Sequence, residues 1–258
     1  MTRWITGAIL MAIASYVLVY SGLPLIVFLG VAGVGAFYEL WRMMGSPNKW
    51  VLSVPVGGYI MGMMVLYGGG RQWVMGIWGV HMLVLMGFVV ELYRQQLWGH
   101  GGTWRIMAKY FLYIFCGLSS IYLIREAPNG PMYLLILCVS IWSTDICAYV
   151  GGRLVGRTPL SVVSPKKTVE GTAIGVLSAG AMVAMICVLS QWSLMWALGA
   201  VGLGVMGQVG DLYESLIKRR YGVKDSSTLL PGHGGILDRG DSTLMVAPIV
   251  YMVVMWLG

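Results

Sequence analysis

The sequence predicts an all-α integral membrane protein that crosses the bilayer many times. Its mean hydropathy is +0.78 and only 10% of its residues are charged, which is too few for the surface of a soluble protein of this size. Apolar runs recur from end to end, and each approaches the roughly 18 residues that a helix needs to cross a hydrocarbon core. The short alternating segments of a membrane β-barrel are absent from the sequence.

The apolar runs predict about nine transmembrane helices. Their approximate limits are 4–22, 23–41, 51–70, 73–92, 110–124, 131–150, 172–191, 193–217 and 242–257. The first run follows Arg3 and has no small-residue cleavage site leading into polar sequence. We therefore expect a retained first span and not a signal peptide.

Basic residues predict the orientation of these helices. When the N-terminus is placed in the cytoplasm, all of the 17 Lys and Arg residues except Arg71 and Arg125 fall on the cytoplasmic side. This bias predicts a multi-pass protein of a bacterial-type cytoplasmic (inner) membrane. The net charge of +7 then reflects topology. Nucleic acid is not an expected partner, because no basic soluble domain is present to bind it.

Carboxylates are scarce, so their positions are informative. Asp145 lies late in the sixth run, and Asp211 and Glu214 lie late in the eighth. A carboxylate at membrane depth is costly unless it faces a polar cavity, a metal ion or a cation, so each is a functional candidate. Residues three and four apart share a helix face, which places Asp211 on one polar stripe with Gln208 and Lys218. Five glycines of the same run predict close helix packing: Gly199, Gly202, Gly204, Gly207 and Gly210.

Two cytoplasmic loops have unusual compositions. The first, residues 151–171, combines glycines with four cations and several hydroxyl groups. These groups suit phosphate oxygens, although cytoplasmic loops of membrane proteins are commonly basic. The second, residues 215–242, mixes cations and carboxylates. Metal-assisted phosphoryl chemistry requires this mixture, because carboxylates hold Mg²⁺ while Lys and Arg neutralise phosphate charge. Gly232, Gly234 and Gly235 should let the backbone approach a phosphate closely.

The order of residues in these loops resembles the signature of the phosphatidate cytidylyltransferases, also called CDP-diacylglycerol synthases. The matching residues of the second loop are Ser215, Lys218, Arg219, Lys224, Asp225, Pro231, Gly232, His233, Gly234, Gly235, Asp238, Arg239 and Asp241. Those upstream are Ser164, Pro165, Lys166, Lys167, Thr168, Glu170 and Gly171, followed by Gly210, Asp211, Leu212 and Glu214. The resemblance covers about residues 140–245, and the first half of the chain is similar to the family only in hydropathy.

The resemblance implies that CTP and phosphatidate react to give CDP-diacylglycerol and pyrophosphate in phospholipid biosynthesis, at the cytoplasmic side of the membrane. It also implies Mg²⁺, a monovalent cation (K⁺) and a homodimer. The phosphomonoester of a lipid carries roughly −1.5 to −2 charge near neutral pH, so it is already a nucleophile and needs no Ser-His-Asp triad. On this interpretation residues 1–95 are N-terminal transmembrane helices without an assigned role, and residues 96–258 form the catalytic region.

The resemblance also assigns roles to individual residues. It makes Asp211 and Asp238 the metal ligands. The catalytic residues that it implies are Asp211, Asp238, Lys218, Arg219 and His233. The residues implied to contact substrate phosphates are Ser164, Lys166, Lys167, Ser215, Lys224 and Arg239. The secondary candidates are Asp145, Asp225 and Asp241. We expect the lipid to enter from the inner leaflet between the sixth, seventh and eighth spans.

Two other kinds of function remain open at this point. A related CTP-dependent polyprenol or phytol kinase, or a cytidylyltransferase acting on ether lipids, would use a similar set of cations and carboxylates. A secondary transporter would use Asp145, Asp211 and Glu214 as coupling groups and predicts inverted repeats, which the sequence does not show.

Overall fold

The computed structural model describes residues 12, 16, 20–46, 48–69, 103–230, 232 and 234–257. Within these residues the chain forms seven helices, and its extended pairing is limited to two isolated β-bridges. The helices are α1 (Gly22–Met43), α2 (Trp50–Tyr67), α3 (Thr103–Glu126), α4 (Gly130–Val155), α5 (Val169–Leu189), α6 (Met195–Arg220) and α7 (Leu237–Leu257). The all-α prediction is confirmed for this part of the chain.

The predicted spans agree with these helices where both can be compared. Spans 4–22 and 73–92 lie almost entirely outside the described residues, and each of the other seven overlaps one helix. Five of the described helices, α1 to α5, are long and apolar enough to cross a membrane. The charged residues of α6 lie toward its C-terminal end, and those of α7 lie at its N-terminal end. The chain is thus a multi-pass helical membrane protein.

Small residues set the spacing of the C-terminal helices. Helix α4 packs along α5, α5 along α6, and α6 along α7. A Cβ atom on Gly175 of α5 would collide with the carbonyl oxygen of Thr144 in α4. A Cβ atom on Gly210 of α6 would lie 2.7 Å from the carbonyl oxygen of Asp241 in α7. Glycine at both positions therefore allows two helix backbones to approach closely.

The predicted glycine packing of α6 is only partly present. Gly204 also touches α4, because a Cβ atom there would lie 2.7 Å from Thr144 Oγ1. Around Gly199 and Gly202, in contrast, no described atom lies within 4 Å of the position a Cβ atom would take. The half of α6 that leads to Asp211 is thus the half that packs tightly.

A buried apolar core connects the N-terminal helices to the C-terminal ones. It includes Phe37 of α1, Tyr59 of α2, Ile114 of α3 and Tyr213 of α6, which are at most 1% exposed. Helix α3 packs against α1, α2 and α7 in this core. The core therefore supports the junction between α6 and α7, where most of the predicted site residues lie.

Candidate active site

Two cavities meet at the end of the bundle where α4 ends and α5 begins. The first has a volume of about 600 Å³ and is called here the acidic cavity. Its lining includes Asp145, Asp211, Lys218, Asp225, Gly232, Gly234, Asp238, Arg239 and Asp241. The second, called here the lysine cavity, has a volume of about 500 Å³, and its lining includes Tyr149, Arg153, Lys166, Lys167 and Gln208. Asp145 and Asp211 line both cavities, so these two carboxylates form the wall between them.

The loop between α4 and α5 is compact. Leu160 N donates to Lys167 O at 2.8 Å, and Val169 N donates to Thr158 O at 2.9 Å. The Thr168 side chain caps α5 by accepting from Gly171 N at 3.2 Å. These contacts turn the loop back on itself and place Lys166 and Lys167 just before α5. The cap satisfies one of the first N–H groups of that helix.

Glu170 closes the same loop. Its carboxylate accepts hydrogen bonds from the backbone N–H of Arg157 at 3.1 Å and of Thr158 at 3.2 Å, and from Thr158 Oγ1 at 2.9 Å. The donation from Arg157 N, with that from Thr158, lowers the pKa of Glu170 to about 2. Glu170 thus serves the loop's structure, and its charge persists far below neutral pH.

A chain of hydrogen bonds links the lysine cavity to the two carboxylates that separate the cavities. Lys167 forms an ion pair with Asp211 and donates from Nζ to Gln208 Oε1 at 2.9 Å. The same amide donates from Nε2 to Asp145 Oδ1 at 2.9 Å. Lysine can only donate and an ionised carboxylate can only accept, so these neighbours determine which end of the Gln208 amide faces each. Gln208 is 4% exposed and therefore holds Asp145 and Lys167 in fixed orientations.

Lys218 contacts two carboxylates. Its Nζ lies 2.7 Å from Asp238 Oδ1 and 3.0 Å from Glu214 Oε2. Burial acts to lower the pKa of Lys218, but Glu214 and Asp238 outweigh it and the net shift is upward. Lys218 therefore stays protonated and neutralises the acidic cavity from its inner side.

Asp238 accepts further hydrogen bonds from the second loop. Its Oδ2 accepts from Gly235 N at 2.8 Å and from Ser226 N at 2.9 Å, and lies 3.0 Å from Ser226 Oγ. Burial acts to raise the pKa of Asp238, but Lys218 and these N–H groups outweigh it, so the pKa falls below its ordinary value. Gly234, at φ +83°, leaves the space that the carboxylate needs, since a Cβ atom there would lie 2.8 Å from Oδ2.

The donor set of the acidic cavity suits a hydrated Mg²⁺ ion. In the described part of the chain, no three carboxylate, imidazole or thiolate groups converge as a closed metal cage would require. Mg²⁺ does not need such a cage, because one or two carboxylates hold it together with water and substrate phosphates. Asp211 and Asp238 line one cavity together with Asp145, Asp225 and Asp241, and in the described lining only Lys218 and Arg239 add positive charge. These groups fit a cation; the assignment of Asp211 and Asp238 as its ligands stays a prediction.

The structure brings together only some of the predicted residues. Asp145, Asp225, Arg239 and Asp241 line the acidic cavity, as do Asp211, Lys218 and Asp238. Of the described residues that were predicted, Ser164, Ser215, Arg219 and Lys224 line neither cavity. Arg219 instead donates to Val223 O at 3.2 Å on the exposed side of its helix. The predicted His233, like Pro231, lies outside the described residues.

Sequence interpretation did not single out Glu39. This residue is fully buried in α1 and accepts four hydrogen bonds from the second loop and the start of α7. A signal for it exists, because Glu39 is a carboxylate inside an apolar run, as is Asp145. The structural roles of Gln208 and Ser226 could not be predicted, because their partners are far away in the sequence.

Comparison with known proteins gives consistent matches. A sequence profile of the cytidylyltransferase family matches residues 1–257. A phosphatidate cytidylyltransferase of Bacillus subtilis is 32% identical over 97% of this chain and 96% of its own length. One from Helicobacter pylori is 32% identical over 99% of this chain and 92% of its own. One from Synechocystis sp. is 46% identical over a shorter segment, 50% of this chain and 45% of its own length. The similarity extends over the N-terminal helices, where no motif was apparent.

Proposed function

Because the chain belongs to the cytidylyltransferase family, we propose that it transfers CMP from CTP to phosphatidate, giving CDP-diacylglycerol and pyrophosphate. The relatives that match nearly its whole length are named phosphatidate cytidylyltransferases. One observation carries the proposal: Asp145 and Asp211 form a wall shared by a carboxylate-rich cavity and a lysine-rich cavity. The reaction needs a nucleoside triphosphate with its metal ion to be held next to a second phosphate group. Two adjacent cavities allow both to be bound at once.

The lysine cavity suits the lipid phosphate. It lies among α4, α5 and α6, and Lys166, Lys167 and Arg153 provide positive charge in its wall. Tyr149 and Leu154 of α4 are 64% and 78% exposed on the same helix, which leaves an apolar surface for acyl chains next to the cations. A lipid could reach this cavity sideways from the membrane, through the groove expected between the sixth, seventh and eighth spans.

The acidic cavity suits the triphosphate of CTP. Mg²⁺, held there by Asp211 and Asp238, would supply neutralisation of the phosphate charge. Lys218 and Arg239 add positive charge from the protein, and the loop around Gly232 and Gly234 offers backbone N–H groups. Such positioned donors and cations are the main contribution that proteins make to phosphoryl transfer.

The reaction then needs little proton chemistry from the protein. A phosphate oxygen of the lipid attacks the α-phosphorus of CTP, a new P–O bond forms, and the bond from the α-phosphorus to the oxygen of pyrophosphate breaks. The attacking phosphomonoester is already anionic near neutral pH, so no side chain has to remove a proton. Lys166 and Lys167 hold the attacking group, and the second loop holds the leaving group.

The membrane arrangement belongs to the same proposal. We place the N-terminus in the cytoplasm, with about nine spans and the site at the cytoplasmic face of a bacterial inner membrane. The distribution of Lys and Arg supports this orientation, and the relatives named above are bacterial. K⁺ as a second cation, the homodimer and the division at residues 95 and 96 stay predictions.

The decisive experiment is an assay of the purified protein with CTP labelled in the base and phosphatidate. We expect label in the lipid product and release of pyrophosphate, both dependent on Mg²⁺. A polyprenol or phytol kinase would instead leave labelled CDP in water, and an ether-lipid enzyme would prefer an archaeal-type ether lipid as acceptor. Absence of label from every lipid tested would contradict the proposal.

Variants of the two predicted metal ligands test the location of the site. Asp211→Asn and Asp238→Asn should each abolish incorporation while the protein still inserts into membranes. Glu126→Gln is a matched control, because Glu126 ends α3 at the far end of α4 from the site. Normal turnover in both Asp variants would exclude this cavity as the active site.

A further inference from the structure

We infer that Glu39 in α1 is a positioning residue, which holds the second loop and the start of α7 in the geometry that catalysis requires. The inference rests on the proposed function and assigns a role to the N-terminal helices. Four hydrogen bonds, a close glycine contact and a connection to Asp238 through Ser226 support it.

Among the described residues, the donors to the Glu39 carboxylate all belong to the second loop and the start of α7. Oε1 accepts from Ser227 Oγ at 2.6 Å and from Ile236 N at 2.8 Å. Oε2 accepts from Leu237 N at 2.9 Å and lies 3.0 Å from Ser226 Oγ. The side chain is 0% exposed, so these four donors replace the water that the carboxylate loses on burial. All four donors are neutral groups.

Two of the donors are backbone N–H groups at the start of α7, Leu237 N in the helix and Ile236 N in the residue just before it. The first N–H groups of a helix have no partner within the helix, so they require acceptors from elsewhere. Glu39 provides both acceptors from another helix, and its negative charge also interacts favourably with the N-terminal end of the helix dipole. Glu39 therefore fixes where α7 begins, one residue before Asp238.

Gly235 shows that the chain is shaped around this carboxylate. A Cβ atom at position 235 would overlap Ser226 Oγ and would lie 2.7 Å from Glu39 Oε1 and 2.6 Å from Oε2. Any other residue at position 235 would force Ser226, Glu39 or the loop backbone to shift. The sequence predicted that this glycine lets the backbone approach a phosphate, which stays a prediction; the structure adds that it leaves room for Glu39 and Ser226.

Ser226 connects Glu39 to the acidic cavity. Its Oγ lies 3.0 Å from Glu39 Oε2 and 3.0 Å from Asp238 Oδ2, so its single hydroxyl proton can be donated to either carboxylate. Ser226 N donates to Asp238 Oδ2 at 2.9 Å. A shift of Ser226 would therefore move the Asp238 carboxylate, and a displacement of about 1 Å in such a group can lower turnover about 100-fold.

The substitution Glu39→Gln isolates this role. Each carboxylate oxygen contacts one hydroxyl group, which can rotate, and one backbone N–H group, which cannot. The amide nitrogen of Gln must therefore face one backbone N–H group that it cannot accept from. Ser227→Ala removes one hydroxyl group, which donates to Glu39 and accepts from Leu229 N, and leaves both backbone contacts of Glu39 intact. It is the milder variant should Glu39→Gln fail to fold. Glu126→Gln is the matched control for the substitution itself.

The test measures steady-state kinetics and amide hydrogen exchange on the full-length protein in lipid nanodiscs. Glu39→Gln should lower kcat at least about tenfold, with a smaller change in KM for CTP, and Ser227→Ala should lower it less. The effects of Glu39→Gln and Ser226→Ala should not multiply in the double variant, because both act through one connection. In the metal-free protein, exchange should be faster in residues 226–240 of Glu39→Gln and unchanged in α4 and α5.

The outcomes separate the inference from the proposed function. Cytidine incorporation by the wild-type protein tests the function before any variant is made. If the wild type is active and Glu39→Gln has normal kcat, Glu39 does not position the site. Faster exchange throughout the bundle, or multiplicative losses in the double variant, would show a general structural role and would also overturn the inference.

Discussion

Lys218 Nζ lies 2.7 Å from Asp238 Oδ1 and thereby joins the last turn of α6 to the first turn of α7. Glu214 Oε2, 3.0 Å from the same ammonium group, completes a cluster whose side chains are 8–12% exposed. The predicted site thus has a lysine that stabilises its carboxylates in addition to any contact with a substrate phosphate.

Removal of the Lys218 charge should destabilise the protein. In Lys218→Met, the buried carboxyl groups of Glu214 and Asp238 lose the cation that both of them contact. We expect a loss of about 3 kcal/mol in the free energy of unfolding, measured by denaturant titration in detergent micelles. Arg219→Met is the neighbouring control, because Arg219 contacts Val223 O at the surface; an equal loss in both variants would contradict the prediction.

Loss of the Gln208 amide should reduce turnover more than stability. Gln208→Ala leaves Asp145 and Lys167 without the group that orients them. We expect kcat for cytidine incorporation to fall about tenfold or more, while the thermal midpoint changes little. Val205→Ala is the control on the same helix, at a side chain that is 47% exposed. Unchanged kcat in Gln208→Ala would show that the hydrogen bonds from Gln208 to Lys167 and Asp145 have no role in catalysis.

Two identical substitutions in α6 should differ in their effects. Gly210→Ala places a Cβ atom 2.7 Å from Asp241 O and 2.9 Å from Met245 Cβ, so α6 and α7 must separate. We expect a loss of about 2 kcal/mol in unfolding free energy. Gly202→Ala should be neutral or gain up to about 1 kcal/mol, because alanine favours helix and no described atom lies nearby. The prediction is wrong if the two variants unfold alike.

The Glu170 contacts should give the first loop a characteristic pH dependence. Since folding lowers the pKa of this carboxyl from 4.5 to about 2, its contribution is complete above about pH 4.5 and is lost as the pH falls toward 2. Pepsin cleavage in residues 156–168 should therefore be slower in wild type than in Glu170→Gln at pH 4. The two rates should converge near pH 2, and a difference that persists there would refute this assignment.

Helix positions and some site residues could be predicted because they depend on local properties. Hydropathy reports the length of an apolar run, so α4 and α5 were expected close to where they occur. Asp145 and Asp211 were expected to be functional because a carboxylate near membrane depth requires a polar environment, and both do line the cavities. Lys167 lines the lysine cavity, and its contact with a substrate phosphate stays a prediction.

Contacts between distant segments could not be predicted in the same way. The oxygen atoms of Ser226 and Glu39 that lie 3.0 Å apart belong to residues 187 positions apart, and no periodicity encodes such a pair. Lys218 and Arg219 are adjacent cations of one motif, yet Lys218 lines the acidic cavity and Arg219 lies at the surface. That difference follows from the 3.6-residue turn of α6 together with the packing of α7.

The sequence by itself determined that this chain is a helical membrane protein, because the cost of burying charge in lipid constrains composition along every span. It also determined which residue types collect in the second loop, and so the class of chemistry. Only the tertiary structure decided that Glu39 from α1 fastens that loop and that Lys218 is held between two carboxylates. The physical reason is that hydrogen bonds and ion pairs depend on distances of a few ångströms, which are set when the helices pack together.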